Sequence, residues 1–436
     1  MASAVRQPFV VLDDDPTGVQ TLAGIRVLLS WDADRVGAAL ASRPSVHLIT
    51  NTRALSATSV RAFVAEAARV ALEGAPDATV VLRGDSTLRG HVLEEYLGVR
   101  DVVAPSGWPV LLLVPALPSA GRVTIDGVHL FERDGRRTPL HETEYADDGV
   151  FAYTSARLLE WAEERSAGLF ARTAGRELHL DVLRSRGPAA VSEALLAFRG
   201  SGHPAVLAPD AETVRDLEII AEGYRAARAH GGSVIVRCAP TFAGVLAGTT
   251  ASGLLPRPPA ADVVLVVCGS YVPQTTRQLT RLQGAYPEAV LEADVGALVD
   301  GDHEAEVRRL SRLTSELLDR SGLAVVATPR AHPGTTLSLE IGGRVAAGLA
   351  GVVAGVVPHP DVIVAKGGIT SAVTLRDGVG AAEAEVAGPV EPGVSRWSAH
   401  WPGGERLDYV VVPGNVGDDE LLARLVAGIV RVSPVC

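Results

Sequence analysis

The sequence predicts an α/β fold with two domains, each a largely parallel sheet covered by helices. Short runs rich in β-branched residues alternate with stretches of helical periodicity along most of the chain. This alternation is typical of parallel sheets that carry helices on both faces. It is interrupted once by a proline-rich segment and then starts again, and a chain of 436 residues is long enough for about two or three domains. We therefore expect two α/β domains of unequal length.

The first domain is predicted over residues 1–252. Its helical stretches include 57–73, where apolar residues such as Val60, Val64 and Ala67 recur near the helical period. Residues 121–151 are polar and have little helical pattern, which predicts either a β-hairpin or a long functional loop. The predicted strands of this domain are 9–13, 25–29, 45–50, 78–82, 110–114, 204–208 and 233–237.

A proline-rich linker is predicted over residues 253–262. Pro256, Pro258 and Pro259 occupy three of four successive positions, and prolines at this density cannot continue a helix or a central strand. The second domain then covers residues 263–436. Its predicted strands are 263–267, 289–293, 323–327 and 361–365, and its predicted helices are 273–284, 303–320 and 335–350.

Charge and apolar patterning exclude several classes of partner. The chain has 40 Lys and Arg against 51 Asp and Glu, a net charge of −11, whereas nucleic-acid binding requires a basic surface. No apolar stretch reaches the roughly 18 residues that a membrane span needs, and the first residues lack an apolar signal core. We therefore expect a cytoplasmic protein with no nucleic-acid or membrane partner, and a homodimer is compatible with the sequence.

The cysteines and the lysine are few enough to be interpreted singly. Cys238, Cys268 and Cys436 are far apart and form no CxxC pair, which is typical of a reducing compartment. The first two have the pattern of buried strand residues. Lys366 is the only lysine in the chain, so any chemistry that requires a primary amine has one possible location.

The first candidate site is VVLDDDPTG, residues 10–18. An apolar strand ends in Asp13, Asp14 and Asp15, and ligands of open α/β sheets bind at the carboxyl ends of strands. Adjacent carboxylates repel one another, so the cluster needs a cation, an arginine or a hydrogen-bonding substrate. The alternative is a solvated turn in which an aspartate caps a helix.

The second candidate site is VVLRGDSTLRGH, residues 80–91, where another strand ends in polar residues. Arg83 and Arg89 could hold a carboxylate or phosphate, and Asp85 could accept a hydroxyl proton. Ser86 and Thr87 could donate hydrogen bonds from a helix N-terminus. The pattern suits an anionic polyol, and the alternative is a set of helix-capping residues with a surface ion pair.

In the second domain, three predicted strands end in glycine-containing turns. The first is KGGITS, residues 366–371, where Gly367 and Gly368 would let backbone amides approach a phosphate closely. The other two are CGSY, residues 268–271, and VVVPGNVGDDE, residues 410–420. Three such turns in one domain indicate a nucleotide phosphate site built from several loops. An ordinary strand-to-helix turn remains the alternative for KGGITS alone.

Signatures of several common enzyme classes are absent from the sequence. There is no GxxxxGK[ST], no GxGxxG after a strand, no HExxH and no GxSxG. The sequence therefore lacks the defining motifs of P-loop ATPases, dinucleotide-binding oxidoreductases, zinc peptidases and α/β-hydrolases. The histidines show no spacing typical of metal ligands, and His129 and His141 are expected to line a polar site or to cap loops.

Taken together, the motifs resemble the four-carbon acid sugar kinases. The resemblance covers nearly the whole chain, in the order expected for the family. The segments that carry it are DDPTG (14–18), TNTRAL (50–55), LRGDSTLRGH (82–91), PALPSAGRVTIDGVHL (115–130), PLHETEY (139–145), CGSYVPQT (268–275), KGGITS (366–371) and PGNVGD (413–418).

The resemblance implies an enzyme of carbohydrate metabolism with a sugar-acid-binding N-terminal domain and a nucleotide-binding C-terminal domain. ATP with Mg²⁺ would phosphorylate the terminal hydroxyl of a threonate, erythronate or 3-oxotetronate type of acid. Matched by motif, the paired aspartates are Asp14 and Asp15, and the DSTLRG segment runs from Asp85 to Gly90. The implied nucleotide contacts are Ser270, Gly367, Gly368, Ile369, Thr370 and Gly414, and Lys366 could add a charge for the phosphates.

The chain departs from this family at two motifs. Many relatives have ADDLTGA where this chain has Asp13 and Pro16, and many have TGGDTA where it has KGGITS. For phosphoryl transfer we expect Arg83 and Arg89 to hold the sugar acid and Asp85 or Asp15 to take the hydroxyl proton. Three alternatives stay open at this point: a haloacid-dehalogenase-like phosphatase using Asp13 and Asp15 as DxDxT, Schiff-base chemistry at Lys366, and a non-catalytic sugar-acid sensor.

Overall fold

The computed structural model describes residues 7–329 and 339–431, and these form two compact units. Of these residues, the first unit contains 7–18 and 31–250, and the second contains 19–30, 251–329 and 339–431. The predicted range 1–252 differs from the first unit, because residues 19–30 belong to the second. Cys436 and the start of the predicted helix 335–350 lie outside the described residues.

The strands and helices follow the predicted alternation. The strands of the described residues are β1 Phe9–Asp13, β2 Ile25–Leu28, β3 Ser45–Ile49, β4 Thr79–Arg83, β5 Val110–Val114, β6 Arg122–Ile125, β7 Val128–Arg133, β8 Arg136–Pro139, β9 Arg176–Leu178, β10 Val206–Pro209, β11 Val234–Cys238, β12 Val264–Cys268, β13 Val290–Glu292, β14 Leu323–Ala327, β15 Val362–Lys366, β16 Glu383–Glu391, β17 Val394–His400 and β18 Arg406–Val412. The α-helices are α1 Ala33–Leu40, α2 Ala57–Gly74, α3 Val92–Val103, α4 Leu158–Arg165, α5 Leu180–Arg186, α6 Pro188–Leu196, α7 Val214–Ala229, α8 Pro240–Ala247, α9 Pro273–Ala285, α10 Val295–Val299, α11 His303–Ser321, α12 Leu339–Ala354, α13 Gly368–Val373 and α14 Leu421–Ala427.

The sheet of the first unit is parallel throughout, in the order β3-β1-β4-β11-β5-β10-β9. Its strands β1, β4, β5 and β11 are buried along their whole length, as expected for a sheet covered on both faces. Residues 122–139 form a separate antiparallel sheet of β6, β7 and β8. Of the two possibilities for this region, the structure therefore has the β-hairpin.

The sheet of the second unit is mixed. Strands β13-β14-β12-β15-β18 are parallel, and β17, β16 and β2 extend the sheet with antiparallel pairing. The predicted fold class, α/β with largely parallel sheets, is confirmed. The antiparallel hairpin of β16 and β17 was not predicted, and β2 was predicted in the first domain. The sequence of β2 is a short apolar strand that pairs with β16 from Ile25↔Val386 to Leu28↔Glu383.

Each unit has its own apolar core. The core of the first unit includes Leu112, Leu207 and Ile220, and that of the second includes Val266, Val364 and Leu425. Cys238 and Cys268 are buried at the ends of β11 and β12, which confirms their prediction as strand residues. Within the described ranges, no helix combines the length and apolar character needed to cross a membrane.

We predict that Leu28→Ala lowers the free energy of unfolding by about 2–5 kcal/mol, because the Leu28 side chain is fully buried and its removal leaves a cavity. Arg26→Ala is the matched control, since Arg26 forms a partly exposed ion pair of 3.5 Å with Glu383 and should cost at most about 1 kcal/mol. Denaturant unfolding measures both. Equal effects of the two substitutions would contradict the packing of β2 in this sheet.

Candidate active site

The three aspartates lie at the carboxyl end of β1, as the sequence predicts. Asp13 is level with Ile49 of β3 and Arg83 of β4. Its carboxylate is fully buried and accepts hydrogen bonds from Arg83 Nη1 at 2.9 Å and from His47 Nδ1 at 2.9 Å. Because a carboxylate only accepts, His47 must donate from Nδ1. Asp13 therefore fixes the side chains of Arg83 and His47 in the interior of the unit.

Arg83 is directed at the aspartates. Its Nη1 also donates to Asp14 Oδ1 at 2.6 Å and to the carbonyl oxygen of Asp15 at 3.2 Å, and its side chain is only 5% exposed. Gly18 makes room for this arrangement, since a Cβ there would lie 2.1 Å from Arg83 Cζ. The predicted contact of Arg83 with substrate stays a prediction, because its Nη1 is used by the carboxylates.

Arg53 joins the two predicted polar segments, although we did not predict it as a site residue. It follows β3, and its Nε lies 3.2 Å from Asp14 Oδ2 while its Nη2 donates to Asp15 Oδ2. Its Nη1 is 3.6 Å from Asp85 Oδ2. The sequence signal was the TNTRAL motif, which resembled the family but did not indicate which residue faces the aspartates. We call Asp13, Asp14, Asp15, Arg53, Arg83 and Asp85 the aspartate–arginine cluster.

The segment after β4 folds back on Asp85. The Asp85 carboxylate accepts hydrogen bonds from Arg89 Nε at 2.7 Å, from Thr87 N at 3.2 Å and from the Thr87 hydroxyl. The turn is completed by Gly90 at φ +118°, a backbone conformation that favours glycine. A Cβ on Gly90 would also lie 2.9 Å from Arg237 Nη2. The predicted residues from Asp85 to Gly90 therefore form one loop beside Arg53.

A buried histidine supports this loop from the antiparallel sheet. His129 Nε2 lies 2.9 Å from the carbonyl oxygen of Ser86, and its Nδ1 lies 2.9 Å from Thr124 Oγ1. Since a carbonyl only accepts, Nε2 carries the proton and Thr124 donates to Nδ1. Burial lowers the pKa of His129 to about 4, so the ring is neutral at pH 7. Tyr153 donates to the carbonyl of Thr87 at 3.0 Å and fixes the next residue.

Arg237 of β11 and Glu95 of α3 form a buried ion pair of 3.1 Å under the same loop. Thr52 donates to the other Glu95 oxygen at 2.7 Å. A Cβ on Gly84 would lie 2.2 Å from Arg237 Nη1, so Gly84 permits the guanidinium to pack against the start of the loop. Sequence reasoning missed both Arg237 and Glu95, because each lies inside an otherwise ordinary strand or helix pattern.

The surroundings push the carboxyl pKa values apart. Burial opposes ionisation of Asp13, but Arg83 and His47 hold its pKa below the ordinary value. Likewise, despite its burial, Arg89 and Arg53 hold the pKa of Asp85 well below the usual range. For Asp14, burial outweighs the attraction of Arg53 and Arg83 and raises the pKa to about 7. Separated pKa values of this kind are typical of acid–base sites.

The glycine turns of the second unit meet at one sheet edge. Cys268 of β12, Lys366 of β15 and Val412 of β18 are level in the sheet, so the following residues are neighbours. A Cβ on Gly367 would lie 3.2 Å from Ser270 Cβ and 3.3 Å from Thr370 Oγ1.

Gly414 approaches the same group of residues. A Cβ on Gly414 would lie 2.8 Å from Ser270 Oγ. Ser270, Gly367, Thr370 and Gly414 therefore converge. Gly368 is the first residue of α13, and the side chain of the next residue, Ile369, is exposed. Because Gly367 and Gly414 have no side chains, a phosphate could approach the backbone N–H groups at these positions, as in known phosphate sites.

Lys366 lies beneath these turns. Its side chain is fully buried, and its Nζ donates to the carbonyl of Pro413 at 2.7 Å. Burial lowers the pKa of the ammonium to about 8. In this conformation the ammonium faces loop carbonyls, so its direct contact with phosphate stays a prediction.

The first unit also contains three side chains of types that can ligate a metal. Among residues 7–329 and 339–431, Asp126, His179 and Asp210 are the one set whose ligand atoms lie within 4.8 Å of one another. Both Asp210 oxygens accept backbone N–H groups, from Asp126 and Gly127 at 2.9 Å each. With the N–H of Leu180 at 3.2 Å as a third donor, the Asp210 carboxylate acts as an acceptor for the backbone. His141 Nε2 lies 4.0 Å from Glu142 Oε1.

Comparison with known proteins identifies the kind of domain in which the aspartate–arginine cluster and the glycine turns each lie. Residues 9–246 match the family model for a sugar-binding N-terminal domain, and residues 265–422 match the model for a nucleotide-binding C-terminal domain. The chain is thus a two-domain protein with a sugar-binding and a nucleotide-binding part. It belongs to the four-carbon acid sugar kinase family, as the sequence motifs indicated.

One curated relative and two solved structures are informative. The chain is 32% identical over 279 residues to a D-erythronate kinase from Heliobacterium modesticaldum, an alignment that covers 63% of this chain and 58% of that relative's length. Protein HI1011 from Haemophilus influenzae has a TM-score of 0.63 at 15% identity and covers 96% of this chain and 99% of its own. A structure from Salmonella typhimurium LT2 has a TM-score of 0.66 at 20% identity and covers 96% and 98%. Both structural likenesses concern the fold.

We predict that one aspartate carboxyl titrates near pH 7. Carbon-13 NMR of aspartate side chains should show this titration in the native protein and lose it in Asp14→Asn, because the buried Asp14 carboxyl has a pKa of about 7. Asp34→Asn, an exposed position in α1, is the control and should leave it unchanged. If every aspartate of the native protein titrated below pH 5, the assignment would be wrong.

Proposed function

We propose that this protein is an ATP-dependent kinase that phosphorylates the terminal hydroxyl of a four-carbon sugar acid, with D-erythronate as the first candidate. The observation that carries the proposal is the position of Arg53, whose guanidinium lies within 3.6 Å of carboxylates from Asp14, Asp15 and Asp85. Family membership and the 32% identity to a D-erythronate kinase support it.

Arg53 and Arg89 would hold the carboxylate of the sugar acid. All three arginines pair with the aspartates, but the side chains of Arg53 and Arg89 are 17% and 26% exposed, whereas that of Arg83 is 5% exposed. Arginine suits this task because its planar fork matches a carboxylate. Ser86, Thr87 and Gly90 would complete the substrate site around Asp85, and Arg83 would position Asp13 and Asp14.

The hydroxyl proton would go to the Asp14–Asp15 pair. A general base works best when its pKa is close to the operating pH, and Asp14 meets this condition at about 7. Asp15 is 15% exposed and so can reach a substrate hydroxyl, while Asp14 adjoins it through Arg53. Asp85 is a weaker base because its pKa is held well below the usual range. Its role would be to orient Arg89 and Thr87.

ATP would bind on the glycine turns of the second unit, at Ser270, Gly367, Gly368, Ile369, Thr370 and Gly414. Mg²⁺ in kinase sites is held largely by substrate phosphates and water, with one or two carboxylates, and it neutralises charge on the transferred group. Phosphoryl transfer otherwise requires mainly that the two substrates are positioned together.

The DxDxT phosphatase alternative has no support. Asp13, the first aspartate of that pattern, is fully buried and both its carboxylate oxygens already accept hydrogen bonds. A carboxylate in this state cannot approach a phosphate ester. ATP-independent phosphate release would be the observation in favour of this alternative.

The direct test is a screen of ATP consumption with D- and L-threonate, D- and L-erythronate and their 3-oxo forms, each with and without Mg²⁺. We expect ADP formation that requires one of these acids and Mg²⁺, with the product phosphorylated at the terminal carbon by NMR. Absence of ADP formation with every acid would contradict the proposed function.

We predict different kinetic effects for the aspartates. Asp15→Asn and Asp14→Asn should each lower kcat by about 10²- to 10⁴-fold, because each removes part of the general base. Asp85→Asn should chiefly raise KM for the sugar acid, by about tenfold, since it releases Arg89. Asp34→Asn should leave both constants unchanged. A larger loss of kcat in Asp85→Asn than in Asp15→Asn would assign the base to Asp85 instead.

A further inference from the structure

The only lysine of the chain is attached to a loop. Lys366 ends β15, and its fully buried ammonium donates to the carbonyls of Pro413 at 2.7 Å and Val416 at 3.4 Å. Within the residues that the structure describes, its polar partners are these two carbonyls, and no carboxylate is among them. A buried ammonium is costly unless hydrogen bonds compensate it, so these carbonyls are its main stabilising partners.

Two further buried donors lie under the same loop. Thr275 Oγ1 of α9 donates to the carbonyl of Gly414 at 3.0 Å. Gln278 Nε2 donates to the carbonyls of Val416 at 2.9 Å and Asp418 at 2.7 Å. Thr275 and Gln278 are fully buried, as is Lys366. Three side chains therefore turn four carbonyls of this loop toward the interior of the unit, those of Pro413, Gly414, Val416 and Asp418.

This orientation determines where the amide groups point. In a trans peptide the C=O of one residue and the N–H of the next lie on opposite sides. The inward carbonyls of Pro413, Gly414 and Val416 therefore direct the N–H groups of Gly414, Asn415 and Gly417 outward.

The contacts of these residues agree with that orientation. Over the described residues, these three N–H groups donate no hydrogen bond to the protein. Asn415 and Gly417 are exposed, and Gly414 lies against Ser270. Outward amides of successive loop residues form a concave site for an anion.

We propose that Lys366 is a positioning residue, which holds the 413–418 loop so that the N–H groups of Gly414, Asn415 and Gly417 bind a phosphate of the adenine nucleotide. The inference rests on the proposed function for the identity of the ligand. The positive charge beneath the loop also attracts the phosphate through the protein interior, where screening by salt is weak.

The acidic residues that follow do not oppose this site. Asp418 lies 3.2 Å from Arg424, and Asp419 lies 2.9 Å from Arg277. Their carboxylates are therefore neutralised by arginines. The phosphate would meet loop amides with a buried cation behind them.

The first test is the affinity for ADP, measured by isothermal titration calorimetry on the full chain. Lys366→Met keeps the length of the side chain but removes the ammonium, and it should weaken ADP binding by about 10- to 100-fold. Lys366→Gln retains a donor that can reach a loop carbonyl, and it should recover part of that loss. The affinity for the sugar acid should stay within twofold of the native value in both variants.

The second test leaves Lys366 in place and serves if Lys366→Met fails to fold. Asn415→Pro removes the N–H of residue 415, whereas Asn415→Ala retains it and serves as the matched control. Because both variants lack the asparagine side chain, we expect Asn415→Pro to bind ADP about tenfold more weakly than Asn415→Ala. Equal affinities in these two variants would overturn the role of the loop amides.

The single lysine also permits a spectroscopic test. Selective ¹⁵N labelling of the lysine side chain gives one Nζ resonance, which should shift when ADP binds and stay unchanged when the sugar acid binds alone. In addition, borohydride treatment with the 3-oxo form of the sugar acid, whose ketone could form an imine with an amine, should leave Lys366 unmodified. A trapped adduct at Lys366 would overturn the positioning role in favour of Schiff-base chemistry.

The outcomes separate this inference from the proposed function. If the native protein bound no adenine nucleotide, both would fail. If it bound ADP and Lys366→Met, folded by circular dichroism, bound equally well, only the inference would fail. If it bound ADP in the predicted manner but transferred no phosphate to any acid, the inference would stand and the kinase activity would fail.

Discussion

The pairing of buried aspartates with two arginines is the interaction on which the first site depends. Three consecutive carboxylates at the end of a buried strand would repel one another and would lose their hydration. Arg83 compensates Asp13 and Asp14 from within the sheet, and Arg53 compensates Asp14, Asp15 and Asp85 from the neighbouring turn. The two arginines differ in accessibility, so one serves the fold and the other can serve a ligand.

Support for this cluster comes from residues that never need to touch a substrate. His129 and Tyr153 hold the carbonyls of Ser86 and Thr87, while the Arg237–Glu95 pair lies beneath the loop. Gly18 leaves space for the guanidinium of Arg83, and Gly84 leaves space for that of Arg237. A site that is surrounded in this way keeps its charged side chains in one arrangement, which is what positioning of a small acid demands.

In the second unit, the proposed anion site is formed by backbone N–H groups. Its anionic ligand would be met by glycine turns at the ends of β12, β15 and β18, and the buried charge of Lys366 acts on the loop carbonyls. Side chains such as Thr275 and Gln278 hold the loop from below. In the proposed function the first unit would bind its anion with arginine side chains and the second with backbone amides, and both sets of polar groups lie at the carboxyl ends of parallel strands.

By itself, the sequence determined the α/β class, most strands to within one or two residues, and both segments that follow β1 and β4. These depend on local periodicity and on strand ends, which neighbouring residues specify. Only the tertiary structure decided that Arg53 lies between Asp15 and Asp85 and that Arg83 forms hydrogen bonds with the aspartates. The same holds for the pairing of β2 with β16. It also decided that Lys366 faces carbonyls about fifty residues further along the chain. Such contacts depend on which strands lie side by side, and the alternation of strands and helices leaves that order open.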